Sequence, residues 1–241
     1  MLLGQTLPIL QQNEPARFNS SDRITLPGAD KRSVVIGANG TGKTVFGAWL
    51  LSKQRFSERP WVILDYKNEE LWDLVGDPPL RYLKVGELPA KRGLYRMPVR
   101  PDQDDILENW LWKIWHRENV GLLCDEVGLL PKGSAFKAIL RQGRSKRIPV
   151  IACTQRPVDV DREVFTESNY VCIFRVDDLR DHKVIQMFTR GAPTDRQLPP
   201  YWSYYYDKGK NQLSILKPVS SPDIVAARLR EAAPYSYLWG W

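Results

Sequence analysis

Lys43 and Thr44 close the run Gly37-Ala38-Asn39-Gly40-Thr41-Gly42-Lys43-Thr44, which fits G-x-x-x-x-G-K-T. That spacing suits the holding of a polyphosphate. Glycines let successive backbone amides curl round phosphate oxygens, and a helix starting at the run adds its positive end. The Lys43 ammonium can reach β- and γ-phosphates, and the Thr44 hydroxyl can ligate Mg2+. Further along stand two adjacent carboxylates, Asp125 and Glu126. Asp125 can hold the hydration shell of the metal, and Glu126 can polarise an attacking water as a general base. Gln155 is placed to sense a γ-phosphate. One of Arg141, Arg144 and Arg156 can act in trans as an arginine finger, offsetting charge in a neighbour's transition state.

Each of these groups needs an element to hold it, and the sequence supplies one. The apolar run Val34-Val35-Ile36 reads as a buried strand before the glycine loop, and the helix after it runs from Val45 to about Phe56. Strand, loop and helix in that order separate a nucleotide-binding P-loop from a chance glycine turn. Val120 to Cys124 reads as a buried strand delivering Asp125 and Glu126, and residues 149–153 as one delivering Thr154 and Gln155. Residues 61–64 form a further strand ending in Asp65-Tyr66-Lys67-Asn68-Glu69. Polar residues at the C-terminal end of a parallel strand face the nucleotide edge, so Asp65 and Lys67 are candidates to back the site.

The remaining pattern fills out an α/β chain. Residues 23–26, 81–85, 94–99 and 170–176 read as strands. Residues 102–117 read as a helix with Ile106, Leu107, Trp110, Leu111, Ile114 and Trp115 on its buried face and Trp112 outside it. Residues 134–143, 178–188 and 222–232 read as helices. Residues 201–206 and 212–216 pair as a hairpin across Asp207-Lys208-Gly209-Lys210. The expected organisation is an N-terminal arm at 1–22, an ATPase core at 23–190, a C-terminal hairpin and helix at 191–233 completing that core, and an aromatic tail at 234–241.

Composition narrows the class. The chain has 241 residues, 43% hydrophobic and 26% charged, enough for one large α/β domain. No apolar run is long enough for a membrane span and no basic-then-apolar leader opens the chain, so a cytosolic protein is expected. Thirty-five Lys and Arg against 28 Asp and Glu leave a charge of +7, which suits a polyanionic partner. Cys124, Cys153 and Cys172 fall in buried strands without metal-ligand spacing. His116 and His182 stand apart, which disfavours a zinc site or a histidine triad.

In this order the P-loop, Leu122-Leu123-Cys124-Asp125-Glu126 and Ala152-Cys153-Thr154-Gln155-Arg156-Pro157 resemble the FtsK–HerA superfamily of DNA-translocating ATPases. The chain is most similar to the short genome-packaging ATPases of tectivirus-like phages, over roughly residues 30–180. The resemblance implies a RecA-like core of mostly parallel sheet with helices on both faces, ATP and Mg2+ at sites between subunits, and a hexamer-type ring. It implies double-stranded DNA and a capsid vertex or its packaging proteins as partners, and the host cytoplasm and the virion as locations. It matches Gly37, Gly42, Lys43 and Thr44 to the first motif, Asp125 and Glu126 to the second and Gln155 to the sensor. It leaves Arg141 and Arg144 both open as the finger. Lys208, Lys210, Lys146 and Arg147 are expected candidates for gripping DNA. The competing expectations are a conjugation or phage-assembly ATPase on the same core, and a small-molecule P-loop kinase.

Overall fold

Val, Ile and Leu at consecutive positions build strands buried on both faces, and the side-chain alternation of a strand deals them to two cores. Val34 and Ile36, Val62 and Leu64, and Leu122 and Cys124 enter one core, while Val35, Ile63 and Leu123 enter the other. The computed structural model describes residues 17–19 as backbone, and 24–28, 30–192 and 196–233 in full. The expected arm at 1–22 falls outside these apart from 17–19, and the aromatic tail at 234–241 falls outside them altogether.

The elements run β1 Arg17–Asn19, β2 Arg32–Ile36, α1 Lys43–Leu51, β3 Pro60–Asp65, α2 Glu70–Val75, β4 Leu80–Tyr82, β5 Gly93–Pro98 and α3 Asp104–Arg117. After them come β6 Gly121–Cys124, α4 Ala135–Gln142, β7 Val150–Thr154, α5 Arg162–Thr166, β8 Tyr170–Ile173, α6 Leu179–Phe188, β9 Ser203–Asp207, β10 Gln212–Leu216 and α7 Pro222–Ala232. They form one sheet in the order β1-β10-β9-β8-β2-β7-β6-β3-β5-β4. All its strands run the same way except β9, which is antiparallel to both β8 and β10. Helices α3, α4, α5 and α6 cover one face, and α1, α2 and α7 the other. The fold is thus a mostly parallel α/β sheet covered on both sides, and its C-terminal hairpin extends the same sheet. Among the described residues no helix is long and apolar enough to cross a membrane.

Several elements depart from expectation. Residues 24–28 are not a strand: the Thr25 carbonyl accepts the Tyr205 hydroxyl at 3.0 Å, and Pro27 cannot donate to a ladder. Helix α1 stops at Leu51, where the Ser52 hydroxyl turns back onto the Trp49 carbonyl at 2.8 Å. In α3 the buried set is Leu107, Trp110, Leu111 and Ile114, while Ile106 is 49% exposed. Trp112 is half-buried, edge-on to Trp115 with ring centres 5.8 Å apart. Helices α2 and α5 are too short to show a period and were not expected.

Because β9 is antiparallel, the β9–β10 turn lies at the sheet edge opposite the P-loop. There Lys208 Nζ donates to the Phe165 carbonyl and Lys210 Nζ to the Thr25 hydroxyl, so Lys208 is turned into its own fold rather than outward. Lys146 is likewise engaged, 2.7 Å from Glu118 and 3.7 Å above the Trp115 ring. Burial pushes the Lys208 pKa down to about 8 from 10.5, against the pull of Glu167. Between those two values the unfolded chain keeps a proton that the folded chain has shed, so this group makes stability rise with pH across that window. Comparing urea denaturation of wild type and Lys208→Met from pH about 8 to about 10.5 should show wild type gaining on the variant. Parallel curves would mean that the amine is fully hydrated.

Candidate active site

The glycine loop is pinned at its root between two strand ends. Gly37 N donates to the Thr154 carbonyl at 3.2 Å and Ala38 N to the Arg175 carbonyl at 2.8 Å, which ties the loop to β7 and β8. Its turn into α1 passes through Gly42 at φ 97°, a conformation that a side chain would strain. The amides of Asn39, Gly40, Thr41 and Gly42 donate to no described residue, so they remain free for an external acceptor. The Ala38 carbonyl instead accepts Lys43 Nζ and Thr41 Oγ1, each at 2.8 Å, and this bends the buried lysine back across the loop. Burial holds the Lys43 ammonium below its ordinary pKa, and the positive charge of Lys67 adds to that. Free amides, a helix N-terminus and a desolvated cation make a built anion cradle.

The carboxylates stand one strand over. β2 pairs with β7, β7 with β6 and β6 with β3, so the C-terminal ends of these strands deliver the loop, Gln155, Asp125-Glu126 and residues 65–69 to one edge. Asp125 accepts the Tyr66 amide at 3.0 Å and the Lys67 amide at 3.3 Å, and it has no ion pair with a described residue. Burial pushes its pKa up to about 7; the Tyr66 amide opposes the rise, and the nearby Asp65 adds to it. Glu126 is held at both oxygens, with the Gln155 amide 3.2 Å from Oε1 and Lys67 Nζ 2.9 Å from Oε2. Gln155 therefore meets Glu126 through its backbone.

Sequence reasoning missed the group that fixes residues 65–69. Arg96, a lone charge within β5, is 1% exposed and donates through Nε to Asp65 Oδ2 at 2.7 Å. Its other nitrogens reach Asn68 Oδ1 at 2.8 Å, the Tyr82 hydroxyl at 3.2 Å, and Asp73. Burial acts against the Arg96 charge, but the Asp73 and Asp65 carboxylates outweigh it and hold its pKa above the ordinary value. Glu69 was missed as well: Oε1 accepts the Thr44 hydroxyl at 3.3 Å, and its amide donates to Asp65 at 3.3 Å. A single arginine inside an apolar strand was the available signal. Tyr201, also unanticipated, sits at φ 65° and is 59% exposed, with its ring beside Gly42.

The arginines divide between the two edges of the sheet. Helix α4 carries Arg141 and Arg144 away from the β6 carboxylates to the edge where β7 begins, so neither lies at its own chain's cradle. There Arg141 pairs with Glu163, while Arg144 is exposed and in no ion pair with a described residue. Arg156 stays at the nucleotide edge, with Asp159 at 3.6 Å, Asp178 at 3.5 Å and Asp181 at 4.0 Å.

No family model matches the sequence. Among individual proteins, the DNA packaging ATPase P9 of Enterobacteria phage PRD1 is 35% identical over 219 residues, covering 85% of this chain and 94% of that one. The chain belongs to the P9 family of packaging ATPases. Its fold recurs in the genome packaging NTPase B204 of Sulfolobus turreted icosahedral virus 2, solved with ATP-gammaS. That match has a TM-score of 0.60 at 17% identity, over 80% of this chain and all of B204. It also recurs in the pCW3 conjugation coupling protein TcpA, with a TM-score of 0.56 at 10% identity over 82% of this chain and 64% of TcpA. At these identities the structural matches speak for the fold alone. Membership of the P9 family rests on the sequence.

Proposed function

We propose that this chain is the ATP-hydrolysing motor that drives double-stranded DNA into a preformed viral capsid. The observation that carries the proposal is the 35% identity to the packaging ATPase P9, maintained over 85% of the chain. The site chemistry supports it. The free amides at 39–42 and Lys43 bind and orient the polyphosphate. Glu126, oriented at one oxygen by the Gln155 amide, is the group that takes a proton from water. A kinase acting on a small acceptor has less use for a second carboxylate here.

The oxygen donors Thr44 and Asp125 fit a magnesium ion, which takes one or two protein oxygens and completes its shell with phosphate and water. Asp125 supports the fit, as a buried carboxylate with no ion-pair partner among the described residues. When bound, the ion would offset phosphate charge. Arg141 and Arg144, remote from their own cradle, support a finger given to a neighbouring subunit, and with it a ring of hexamer type. Capsid vertex proteins are the further partners, and the host cytoplasm and the virion are the places of action.

The test is steady-state ATP hydrolysis with and without linear double-stranded DNA at two salt concentrations. The motor reading expects DNA to raise the rate and salt to erase the gain, because Lys and Arg contacts to phosphates release counterions. Hydrolysis indifferent to DNA at low salt would overturn it. Phosphoryl transfer to a small acceptor would select the kinase.

A further inference from the structure

Residues 65–69 touch three members of the site at once. Glu69 accepts the Thr44 hydroxyl at 3.3 Å, the Tyr66 and Lys67 amides cap Asp125, and Lys67 Nζ lies 2.9 Å from Glu126 Oε2. The last contact has a chemical consequence. The Lys67 side chain is 24% exposed and that of Glu126 is 11% exposed, so the pair is screened far less than one on the surface. An oxygen that already accepts an ammonium N–H is not open to a water. Glu126 therefore cannot engage an attacking water through Oε2 while Lys67 holds it.

The same ammonium is near the phosphate cradle. The segment that carries it meets the glycine loop directly, where Glu69 accepts the Thr44 hydroxyl at 3.3 Å. Two cations converge on one small region: Lys43 rests on a carbonyl, and Lys67 on the carboxylate. A terminal phosphate carries more charge than a carboxylate and offers more acceptor oxygens, so it competes well for an ammonium within reach. The Lys67 stem is flexible, and only its tip has to move.

We propose that Lys67 is the positioning residue that reads the γ-phosphate: it holds Glu126 until a nucleoside triphosphate is bound, then transfers to the γ-phosphate and frees Glu126 to act on water. The proposal rests on the reading of this site as one that hydrolyses ATP, and it does not depend on DNA. A diphosphate has no γ-phosphate to draw the ammonium away, so Glu126 stays engaged after hydrolysis. The ion pair thereby couples the readiness of the base to the state of the nucleotide.

The inference predicts a split between two ligands. Calorimetric affinities for AMPPCP and ADP, each with Mg2+, are measured for wild type, Lys67→Met, Lys67→Arg and Glu126→Gln. Lys67→Met should weaken AMPPCP about tenfold and leave ADP within about twofold, as expected for the loss of one charge-assisted contact. Glu126→Gln should tighten AMPPCP severalfold, because Lys67 no longer has a carboxylate to leave. Lys67→Arg should keep the preference for the triphosphate. If Lys67 only braced residues 65–69, both ligands would weaken together in Lys67→Met, and that result would overturn the proposal. Undiminished discrimination in Lys67→Met would overturn it too. Failure of the underlying nucleotide reading looks different: wild type would bind neither ligand, or an added Lys43→Ala variant would bind both as tightly as wild type.

Discussion

Glu126→Gln is expected to lower steady-state ATP hydrolysis by at least about a hundredfold, within the usual range for loss of a general base. Binding of the nucleotide should survive. The substitution keeps the shape of the side chain and removes its capacity to take a proton, and a hundredfold corresponds to about 2.7 kcal/mol of lost transition-state stabilisation. Glutamine also cannot accept hydrogen bonds at both ends, whereas Glu126 accepts the Gln155 amide at one oxygen and Lys67 at the other. One of those donors must then face an NH2 group, at a cost of about 1–3 kcal/mol in stability. That is too little to unfold a domain with two continuous cores. Phosphate release and a thermal melt on the same sample separate the two effects. A variant that retains more than about a tenth of the wild-type rate would remove Glu126 from the role of base.

How much of this was visible beforehand follows from where the signals are local. Parallel strands buried on both faces read as unbroken apolar runs, so Val34–Ile36, Leu122–Cys124 and the strand before Gln155 could be found without any knowledge of tertiary structure. The candidate groups sit beyond their ends: Asp125, Glu126 and Gln155 directly, and Lys43 across the glycine loop from Ile36. What escaped depends on contacts distant in sequence. Arg96 meets Asp65, Asn68, Asp73 and Tyr82 only because β5 pairs with β3 and β4. Lys208 looks like a solvated turn residue until β9 and β10 bring it onto the end of α5. The Arg141–Arg144 cluster is close in sequence to Gln155, yet α4, eight residues and so about 12 Å long, carries it to the far edge. Helices the length of α2 and α5 complete too few turns to declare a period.

Arg96→Met should cost about 3–5 kcal/mol of stability, the range for removing one partner of a buried ion pair. The side chains of Arg96 and Asp65 are 1% and 0% exposed, so Asp65 would be left as an uncompensated buried charge beside Asp125, or would have to take up a proton. Urea denaturation gives the loss directly. Adding Asp65→Asn to Arg96→Met removes the orphaned charge while keeping an oxygen for the Glu69 amide, so the double variant should recover more than half of it. Hydrolysis should not recover with the fold. The guanidinium also holds Asn68 and Asp73, which follow the Tyr66 and Lys67 amides that cap Asp125. A loss below about 1 kcal/mol in Arg96→Met would mean that water replaces the guanidinium and that the pair is no better than a surface one. Full return of ATP hydrolysis in the double variant would mean that residues 65–69 hold their place without Arg96. Stability restored with hydrolysis still low would instead separate the two duties of this arginine: neutralising a buried carboxylate, and aiming the segment that caps Asp125.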